Sequence, residues 1–209
     1  LMLDETMTYS CAVFERSGMS LADAQRAKYE RLCTALALAP GDHVLEIGCG
    51  WGGFARYAAE TRGCRVTGIT ISREQASVAR ERTRDLPVEI VEVDYRAVEG
   101  RYTKVVSIEM IEAIGADQFG TFFATIDRLL APGGRAAVQT ILVPEQRWER
   151  YRSTPDWIER YVFPGCLIPS LESLVRAAAR HSQLAVYGVE EIGEQYAETL
   201  RQWRSQFHA

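Results

Sequence analysis

The sequence has very few lysines and no long apolar run. Only Lys28 and Lys104 occur among its 24 basic residues, and the others are arginines. No stretch approaches the ~18 apolar residues that a membrane-spanning helix requires. The formal net charge is -4, which disfavours a broad nucleic-acid-binding surface because such surfaces are strongly basic.

The sequence also lacks any paired arrangement of cysteines. The five cysteines are scattered along the chain and form no C-x-x-C pair. An odd number without paired spacing argues against a disulfide framework and against a zinc site, so we expect no bound metal. This cysteine usage fits a reducing compartment such as the cytoplasm.

The first two thirds of the chain alternate between two hydrophobic periodicities. Helical spacing predicts helices at 20–38, 53–62, 73–84 and 118–130, and short apolar runs predict strands at 43–47, 64–71, 88–93, 103–108 and 135–142. Residues 131–134, with the letters APGG, are predicted to form a turn before the last strand. Strands alternating with helices imply right-handed crossovers and a parallel, doubly wound sheet. A chain of 209 residues suffices for one such domain.

The last third is less regular. Its pattern predicts helices at 155–161, 170–181 and 194–207 and a strand at 184–189. Arg147, Arg150 and Arg152 form a basic cluster, for which a solvated surface is a better interpretation than contact with lipid phosphates.

The motif EIGCGWGG, residues 46–53, lies where the first strand meets the first crossover helix. Glycines at such a junction permit a tight turn and a close approach of the backbone to a nucleotide. A dinucleotide site favours an acidic residue at the end of the second strand, which is absent here. The carboxylates are instead Glu46, before the glycines, and Asp94, after the third strand. S-adenosylmethionine, which has cationic groups and no phosphate, suits these carboxylates better than NAD.

Seven segments together resemble the cyclopropane fatty acid synthase family, which includes the mycolic acid cyclopropane synthases. They are MTYSC (7–11), AQxAK (24–28), VLEIGCGWG (44–52), VTGITISxxQ (66–75), DYR (94–96), SIEMxE (107–112) and FPG (163–165). The resemblance runs from about Met7 to Phe207. It implies a class I methyltransferase fold: an α/β, Rossmann-like, doubly wound and mostly parallel sheet with helices on both faces.

The resemblance also implies the residues that bind S-adenosylmethionine. They are Tyr9, Ser10, Glu46, Gly48, Cys49, Gly50, Gly52, Thr70, Ile71, Ser72, Gln75, Asp94, Tyr95, Arg96 and Ile108. A carboxylate such as Asp94 suits the adenine amino group, because that group is a hydrogen-bond donor. Glu109, beside Ile108, could serve only to cap the local structure.

Family members methylate a carbon–carbon double bond of a long acyl chain and form a carbocation, from which bicarbonate is thought to remove a proton. The residues that hold the bicarbonate match Cys11, Glu112, Gln139, Ile141 and Tyr196. Gln139 replaces a histidine of the family, and Ala113 stands where a second histidine often follows the glutamate. Glutamine can donate a hydrogen bond but cannot titrate, so this departure bears on ring closure and leaves methyl transfer as expected.

The implied organisation is one domain in three parts. Residues 1–40 form a helical cap over the cofactor, 41–142 the cofactor-binding core, and 143–209 the acyl-substrate region and C-terminal helices; the antiparallel strand that ends the fold has no matching segment. Four aromatic residues could line an apolar pocket or pack in the core: Tyr151, Trp157, Tyr161 and Phe163.

The expected substrate is an unsaturated acyl phospholipid. We therefore expect a cytoplasmic enzyme that contacts the inner face of the membrane transiently, with a homodimer as a further possibility. Two alternatives stay open: a domain that binds S-adenosylmethionine without catalysis, which Gln139 favours, and a methyltransferase acting on a small amine or natural product. The acyl chain, its carrier and the final product do not follow from the sequence.

Overall fold

The computed structural model describes residues 2–154 and 156–208. Its strands are β1 (His43–Ile47), β2 (Arg65–Thr70), β3 (Val88–Glu92), β4 (Tyr102–Ile108) and β5 (Leu130–Gln139). Its α-helices are α1 (Leu21–Leu36), α2 (Gly53–Arg62), α3 (Arg73–Thr83), α4 (Phe119–Leu129), α5 (Glu145–Tyr151), α6 (Trp157–Tyr161), α7 (Leu171–His181) and α8 (Gly193–His208). Short 3₁₀ turns cover Tyr95–Ala97, Ile111–Ala113 and Ala116–Gln118.

The five strands form one parallel sheet in the order β3-β2-β1-β4-β5. This arrangement confirms the predicted doubly wound α/β fold. The central strand β1 ends with Ile47, which lies beside Ile69 of β2 and Ser107 of β4. The chain order reverses between β1 and β4, and ligands bind at such a switch point, outside the carboxyl ends of the strands.

The two faces of the sheet are buried by different helices. On one face, α4 and α7 cover a core that includes Leu45, Ile47, Phe122, Ile126 and Leu174. On the other face, α1 and α2 cover a core that includes Leu36, Val44, Phe54, Val66 and Val106. Burial on both faces explains why β1 and β2 are nearly continuous apolar runs, as is usual for parallel strands.

Side-chain caps set the starts of several helices. Ser20 accepts a hydrogen bond from the backbone of Asp23 and begins α1. Ser72 caps α3 in the same way, and Ser170 and Ser173 form a reciprocal capping box on α7. The predicted helices 20–38 and 73–84 end slightly too late, which is within the usual uncertainty of helix ends.

The structure corrects the prediction at the start and end of β5. Residues 131–134, predicted as a turn, lie within the strand as an irregular bulge: Leu130 is opposite Tyr102, and Arg135 is already opposite Lys104. A side chain at Gly134 would lie 2.8 Å from the carbonyl oxygens of Ala131 and Thr103, so the bulge requires glycine there. The strand ends at Gln139 rather than at residue 142.

One prediction for the last third of the chain is wrong, and one helix was missed. Residues 184–189 form no strand, because no other strand of the described residues pairs with them, and Tyr187 is 98% exposed. Helix α5 was not predicted. The predicted helix at 155–161 is observed from Trp157, with Pro155 outside the described residues. Within residues 2–154 and 156–208, no helix has the length and apolarity to cross a bilayer.

Candidate cofactor pocket and active site

The glycine loop, residues 48–53, follows β1 and leads into α2. Gly48, Gly50 and Gly52 all have positive φ, at 82°, 50° and 81°. A side-chain carbon at Gly48 would lie 2.7 Å from the Met110 side chain, and one at Gly50 would lie 3.4 Å from the ring of Tyr9. The loop therefore needs glycine for its conformation and for the closeness of its neighbours.

A pocket lies between the glycine loop and the N-terminal segment, which we define as residues 6–14. It is lined by Met7, Thr8, Tyr9, Ser10, Tyr29, Glu46, Gly48, Cys49, Gly50, Trp51, Gly53, Phe54, Ile108 and Glu109. Seven of these residues are among those expected to bind the cofactor: Tyr9, Ser10, Glu46, Gly48, Cys49, Gly50 and Ile108. The sheet thus brings the loop after β1 and the end of β4 against the N-terminal segment.

Glu46 is the buried carboxylate of this pocket, with 2% of its surface exposed. Burial raises the pKa of Glu46 well above its usual value, and the backbone of Ala55 and the charge of Lys28 only partly offset this. Its Oε2 atom has no hydrogen-bond partner among the described residues. An unpartnered buried carboxylate oxygen fits a cationic ligand group, so Glu46 suits the amine of S-adenosylmethionine.

A second set of expected cofactor residues lies where β2 meets α3. The Gln75 amide donates to the Tyr9 hydroxyl at 3.2 Å, and the Thr70 hydroxyl donates to the Gln75 carbonyl at 2.9 Å. Ser72 caps α3, while Ile71 is 78% exposed. These contacts connect the rim of α3 to Tyr9, although Thr70, Ile71, Ser72 and Gln75 do not line the pocket itself.

Asp94 ends the loop after β3. Its carboxylate accepts hydrogen bonds from Nε and Nη2 of Arg96, at 2.8 and 2.7 Å, and from the backbone N–H of Arg96. These bonds lower the pKa of Asp94 and keep it ionised. Tyr95 is buried against Phe122. Asp94 is thus a fixed acceptor at the carboxyl end of the sheet, but it does not line the pocket.

The residues expected to hold an anion lie in what we call the carboxylate cluster: Cys11, Glu109, Glu112, Gln139, Ile141 and Tyr196. Glu109 Oε1 accepts hydrogen bonds from the backbone N–H of Cys11 at 2.8 Å and from the Gln139 amide at 2.9 Å. The same amide donates to the Cys11 carbonyl at 3.2 Å. Gln139, at the position where the resemblance implies a histidine, therefore ties Glu109 to the N-terminal segment.

Glu112 forms the other half of the carboxylate cluster. Its Oε1 accepts the backbone N–H of Ile141 at 2.6 Å and the Thr140 hydroxyl at 2.9 Å. Its Oε2 is buried and has no partner among the described residues. Burial raises the pKa of Glu112 to about 7, although these hydrogen bonds lower it. Glu112 therefore titrates near neutral pH, the range in which a carboxyl group can exchange protons.

Helix α8 brings Tyr196 to the carboxylate cluster. Thr199 accepts the backbone N–H of Ala12 at 3.1 Å, and Gln195 accepts that of Phe14 at 2.9 Å, so α8 lies along the N-terminal segment. Burial and the charges of Glu109, Cys11 and Glu112 raise the pKa of Tyr196, which keeps its hydroxyl protonated. Tyr196 is therefore a hydrogen-bond donor beside two carboxylates.

The thiol of Cys11 is not an activated nucleophile. Burial, together with the charge of Glu109, raises its pKa to about 11. The thiol faces the carbonyls of Ala12 and Ile192 at 3.4 and 3.9 Å. Cys11 thus contributes its backbone N–H to the cluster, while its side chain behaves as a small buried group.

Sequence reasoning missed the role of Lys28. Its side chain is 1% exposed, and its ammonium donates to the Ser10 hydroxyl at 2.6 Å. Gln25, one helical turn earlier, donates to the Ser10 carbonyl at 2.9 Å. Burial lowers the pKa of Lys28 to about 8, while the charge of Glu109 raises it. A lysine in a predicted amphipathic helix gives no sign of burial, so only its place in the AQxAK segment could have drawn attention to it.

Three of the four aromatic residues expected to line a substrate pocket lie at the surface. Trp157, Tyr161 and Phe163 are 67%, 70% and 56% exposed, so they neither line a pocket nor pack in the core. Tyr151 is half-buried, and its hydroxyl accepts a hydrogen bond from the backbone N–H of Ile168 at 3.4 Å. A separate cavity of about 740 Å³ lies between α4, α5 and α7, but none of the expected site residues lines it.

Comparisons with known proteins show the family to which the chain belongs. A model of the mycolic acid cyclopropane synthetase family matches residues 1–209. The chain is 42% identical, over 98% of its length, to a tuberculostearic acid methyltransferase of Mycobacterium tuberculosis, and 36% identical, over 100%, to the cyclopropane-fatty-acyl-phospholipid synthase of Escherichia coli. It spans about half the length of these curated relatives, 50% and 53%.

Solved structures show the same likeness. The cyclopropane synthase MmaA2 of Mycobacterium tuberculosis has a TM-score of 0.89 and 28% identity, over 99% of this chain and 77% of that one. The mycolic acid cyclopropane synthase CmaA1, complexed with SAH and CTAB, also has a TM-score of 0.89. It is 30% identical, over 97% of this chain and 75% of that one. Both therefore have the same overall fold as this chain.

Proposed function

This chain belongs to the mycolic acid cyclopropane synthetase family, and we propose that it transfers a methyl group from S-adenosylmethionine to a carbon–carbon double bond in the acyl chain of an unsaturated phospholipid. The observation that carries the proposal is the place of Glu109, which lines the glycine-loop pocket and also belongs to the carboxylate cluster. The cofactor pocket and the carboxylate cluster are therefore adjacent. The names of the related proteins support a lipid substrate.

Residues of the pocket, together with Asp94 and Gln75 outside it, offer partners for the groups of the cofactor. Glu46 offers an unpartnered buried carboxylate oxygen to its amine, and the glycine loop offers a backbone without side chains. Asp94, held by Arg96, offers a fixed acceptor for the adenine amino group. Ser10 and Tyr9 are held over the pocket by Lys28 and Gln75. When bound, S-adenosylmethionine supplies an electrophilic methyl group, and the electrons of the broken carbon–sulfur bond stay on its sulfur.

The remaining chemistry concerns the acyl chain and the protein. The π electrons of the double bond form the new bond to the methyl carbon, which leaves a cation on the other alkene carbon. Loss of a proton from the new methyl closes a cyclopropane ring. If a hydride first migrates to the cationic carbon, loss of a proton from the methyl group leaves a methylene branch. A saturated methyl branch would in addition need a hydride donor from another source.

The carboxylate cluster has the charge needed to stabilise this cation. Glu112 is buried and Glu109 is half-buried at the pocket wall, and opposite charge in a site with little water stabilises a developing cation strongly. Tyr196 keeps its hydroxyl proton on the same side, so it has a hydrogen bond to donate and cannot compete as a base. Bicarbonate, the base that the resemblance implies, is one candidate for the proton acceptor.

The substrate class also implies where the protein works. A phospholipid acyl chain lies within a bilayer, so the proposal includes transient contact with the inner face of the membrane from the cytoplasm. In this proposal residues 1–40 cover the cofactor, residues 41–142 bind it, and residues 143–209 bind the acyl chain. A homodimer stays a prediction, which light scattering after gel filtration would test.

The test is methyl transfer to defined lipids. The protein is incubated with S-adenosylmethionine and vesicles of either an unsaturated phospholipid or its fully saturated counterpart. Mass spectrometry should show the gain of one CH₂ unit on the unsaturated chain alone, because only that chain has π electrons to form the new bond. Equal modification of both lipids would contradict the alkene chemistry.

The same experiment separates the two alternative functions. Binding of S-adenosylmethionine without any product would indicate a non-catalytic domain. Methylation of small amines without lipid methylation would indicate the other alternative. Preference for NAD in calorimetric titration would contradict the cofactor assignment itself.

A further inference from the structure

Glu109 has a backbone conformation that is costly for its residue type. It follows β4 with a φ of 48°, in the left-handed region that favours glycine. Strain of this kind costs on the order of 1–3 kcal/mol and occurs mainly where a functional site requires it. The backbone is held there by the Glu109 N–H, which donates to the Gln139 carbonyl at 2.8 Å. The conformation directs the carboxylate into the pocket.

The carboxylate of Glu109 takes the hydrogen bonds that the family resemblance assigns to bicarbonate. One is the backbone N–H of Cys11 at 2.8 Å, and the second is the side chain at the histidine position, Gln139, at 2.9 Å. The second backbone donor, the N–H of Ile141, donates to Glu112 at 2.6 Å. The chain's own carboxylates therefore use every backbone donor of the expected anion site.

The charges around Glu109 disfavour a further anion. Glu112 is a second carboxyl group on the same side, and the charge of Glu109 raises the pKa of Glu112. The buried Lys28 is the cation that faces Glu109, and it lowers the pKa of that carboxyl group, while burial raises it more strongly. One lysine offsets one of the two carboxylates, which leaves no positive charge for bicarbonate.

We propose that the Glu109 carboxylate is the base of this site and replaces bicarbonate in the reaction, an inference that rests on the proposed function. A carboxylate and a bicarbonate ion share the planar CO₂ group and the single negative charge. The C–H bond of the cation breaks, its electron pair forms the third ring bond or a carbon–carbon double bond, and the proton moves to Glu109. Gln139 and Cys11 N–H orient the accepting group and do not titrate. The proton returns to water when the product leaves.

The first experiment removes bicarbonate from the wild type. Methyl transfer to an unsaturated phospholipid is measured in buffer freed of carbon dioxide and again after bicarbonate is added. We expect equal turnover in both buffers, because the base is part of the chain. A wild type that works only with bicarbonate would overturn the inference while leaving the proposed function intact. A wild type that never methylates the lipid would instead contradict the proposed function.

The second experiment changes the side chain itself. Glu109→Gln keeps the size and the hydrogen-bond acceptor but removes the base, and we expect turnover to fall by roughly 10²-fold or more. Because Glu109 also lines the cofactor pocket, affinity for S-adenosylmethionine is measured by calorimetry and turnover is compared at saturating cofactor. A Glu109→Gln variant with wild-type turnover would overturn the inference.

The third experiment distinguishes a base from a structural role. Glu109→Gly suits the positive φ and leaves space for a small anion, so it should fold at least as well as the wild type. Added bicarbonate or formate should restore part of its turnover, whereas chloride should not, because only the first two supply a carboxylate-like base. A folded Glu109→Gly variant that binds S-adenosylmethionine but is rescued by neither anion would assign Glu109 a structural role and overturn the inference.

Discussion

Replacing Glu112 by glutamine should change the stability of the protein in a way that depends on pH. Glu112 is 8% exposed, and burial raises its pKa from 4.5 to about 7. The folded state therefore favours the neutral form. The stability that this group contributes is complete below about pH 4.5 and is lost as the pH rises through 7. Glutamine is neutral at every pH and can still accept from Ile141 and Thr140.

The magnitude follows from the size of the shift. Each pKa unit corresponds to about 1.4 kcal/mol, so ionising Glu112 in the folded protein costs roughly 3 kcal/mol once the pH is well above 7. Part of this cost is already present at pH 5, because the unfolded chain ionises there. Between pH 5 and pH 8 the free energy of unfolding of Glu112→Gln should therefore rise by about 2–3 kcal/mol relative to the wild type.

The assay is urea unfolding of both proteins at the two pH values and the same ionic strength. Since other groups titrate equally in both, only the difference between the proteins is interpreted. Glu99→Gln, at an exposed position, is the matched control and should show no such pH dependence. A difference between wild type and Glu112→Gln that is the same at pH 5 and pH 8 would refute the reasoning, because it would mean that Glu112 does not ionise in a buried site.

The gain in stability should accompany a loss of function. Removing the Glu112 charge takes one of two carboxylates from the side of the proposed cation, and we expect turnover to fall by roughly 10²-fold. Binding of S-adenosylmethionine should be nearly unchanged, because Glu112 does not line the cofactor pocket. Such a trade of stability for activity is typical of active-site groups held in an unfavourable environment.

Two further predictions concern the cofactor pocket. Gly50→Leu should weaken S-adenosylmethionine binding by roughly tenfold or more, about 1.4 kcal/mol, because the side chain would lie against Tyr9 in the pocket; Gly18→Leu, which has similar φ but open space around it, should not. Lys28→Met should weaken the same binding by roughly tenfold by freeing Ser10, whereas Lys104→Met should leave it unchanged. Equal titration curves for either variant and its control would contradict the role assigned to that residue.

The sequence was informative where a pattern depends on neighbours along the chain. The alternation of apolar runs was enough to predict all five strands of the sheet and the loop at Gly48, because parallel strands buried on both faces have a simple signature. The strand at 184–189 was predicted from the same signature and is absent, because an apolar run needs a partner strand that no local pattern can supply.

The candidate site depended on contacts between distant segments. Glu109 was left without a clear role, although its carboxylate joins residues 98 and 30 positions away, because no local pattern places Cys11 and Gln139 beside it. The burial of Lys28 depends on how α1 packs against the N-terminal segment. The exposure of Trp157 and Tyr161 could not be predicted from the sequence either, since aromatic residues occur both in cores and at surfaces.

The bulge in β5 determines where this chain can tolerate changes in length. Four residues, 131–134, lie opposite a single residue of β4, and pairing resumes with Arg135 and continues to Gln139 opposite Ile108. An insertion or deletion inside the bulge leaves the later register untouched. One extra residue between 135 and 139 would turn Gln139 to the other face of the sheet and separate it from Glu109. Related chains should therefore vary in length before Arg135 and keep a constant spacing after it.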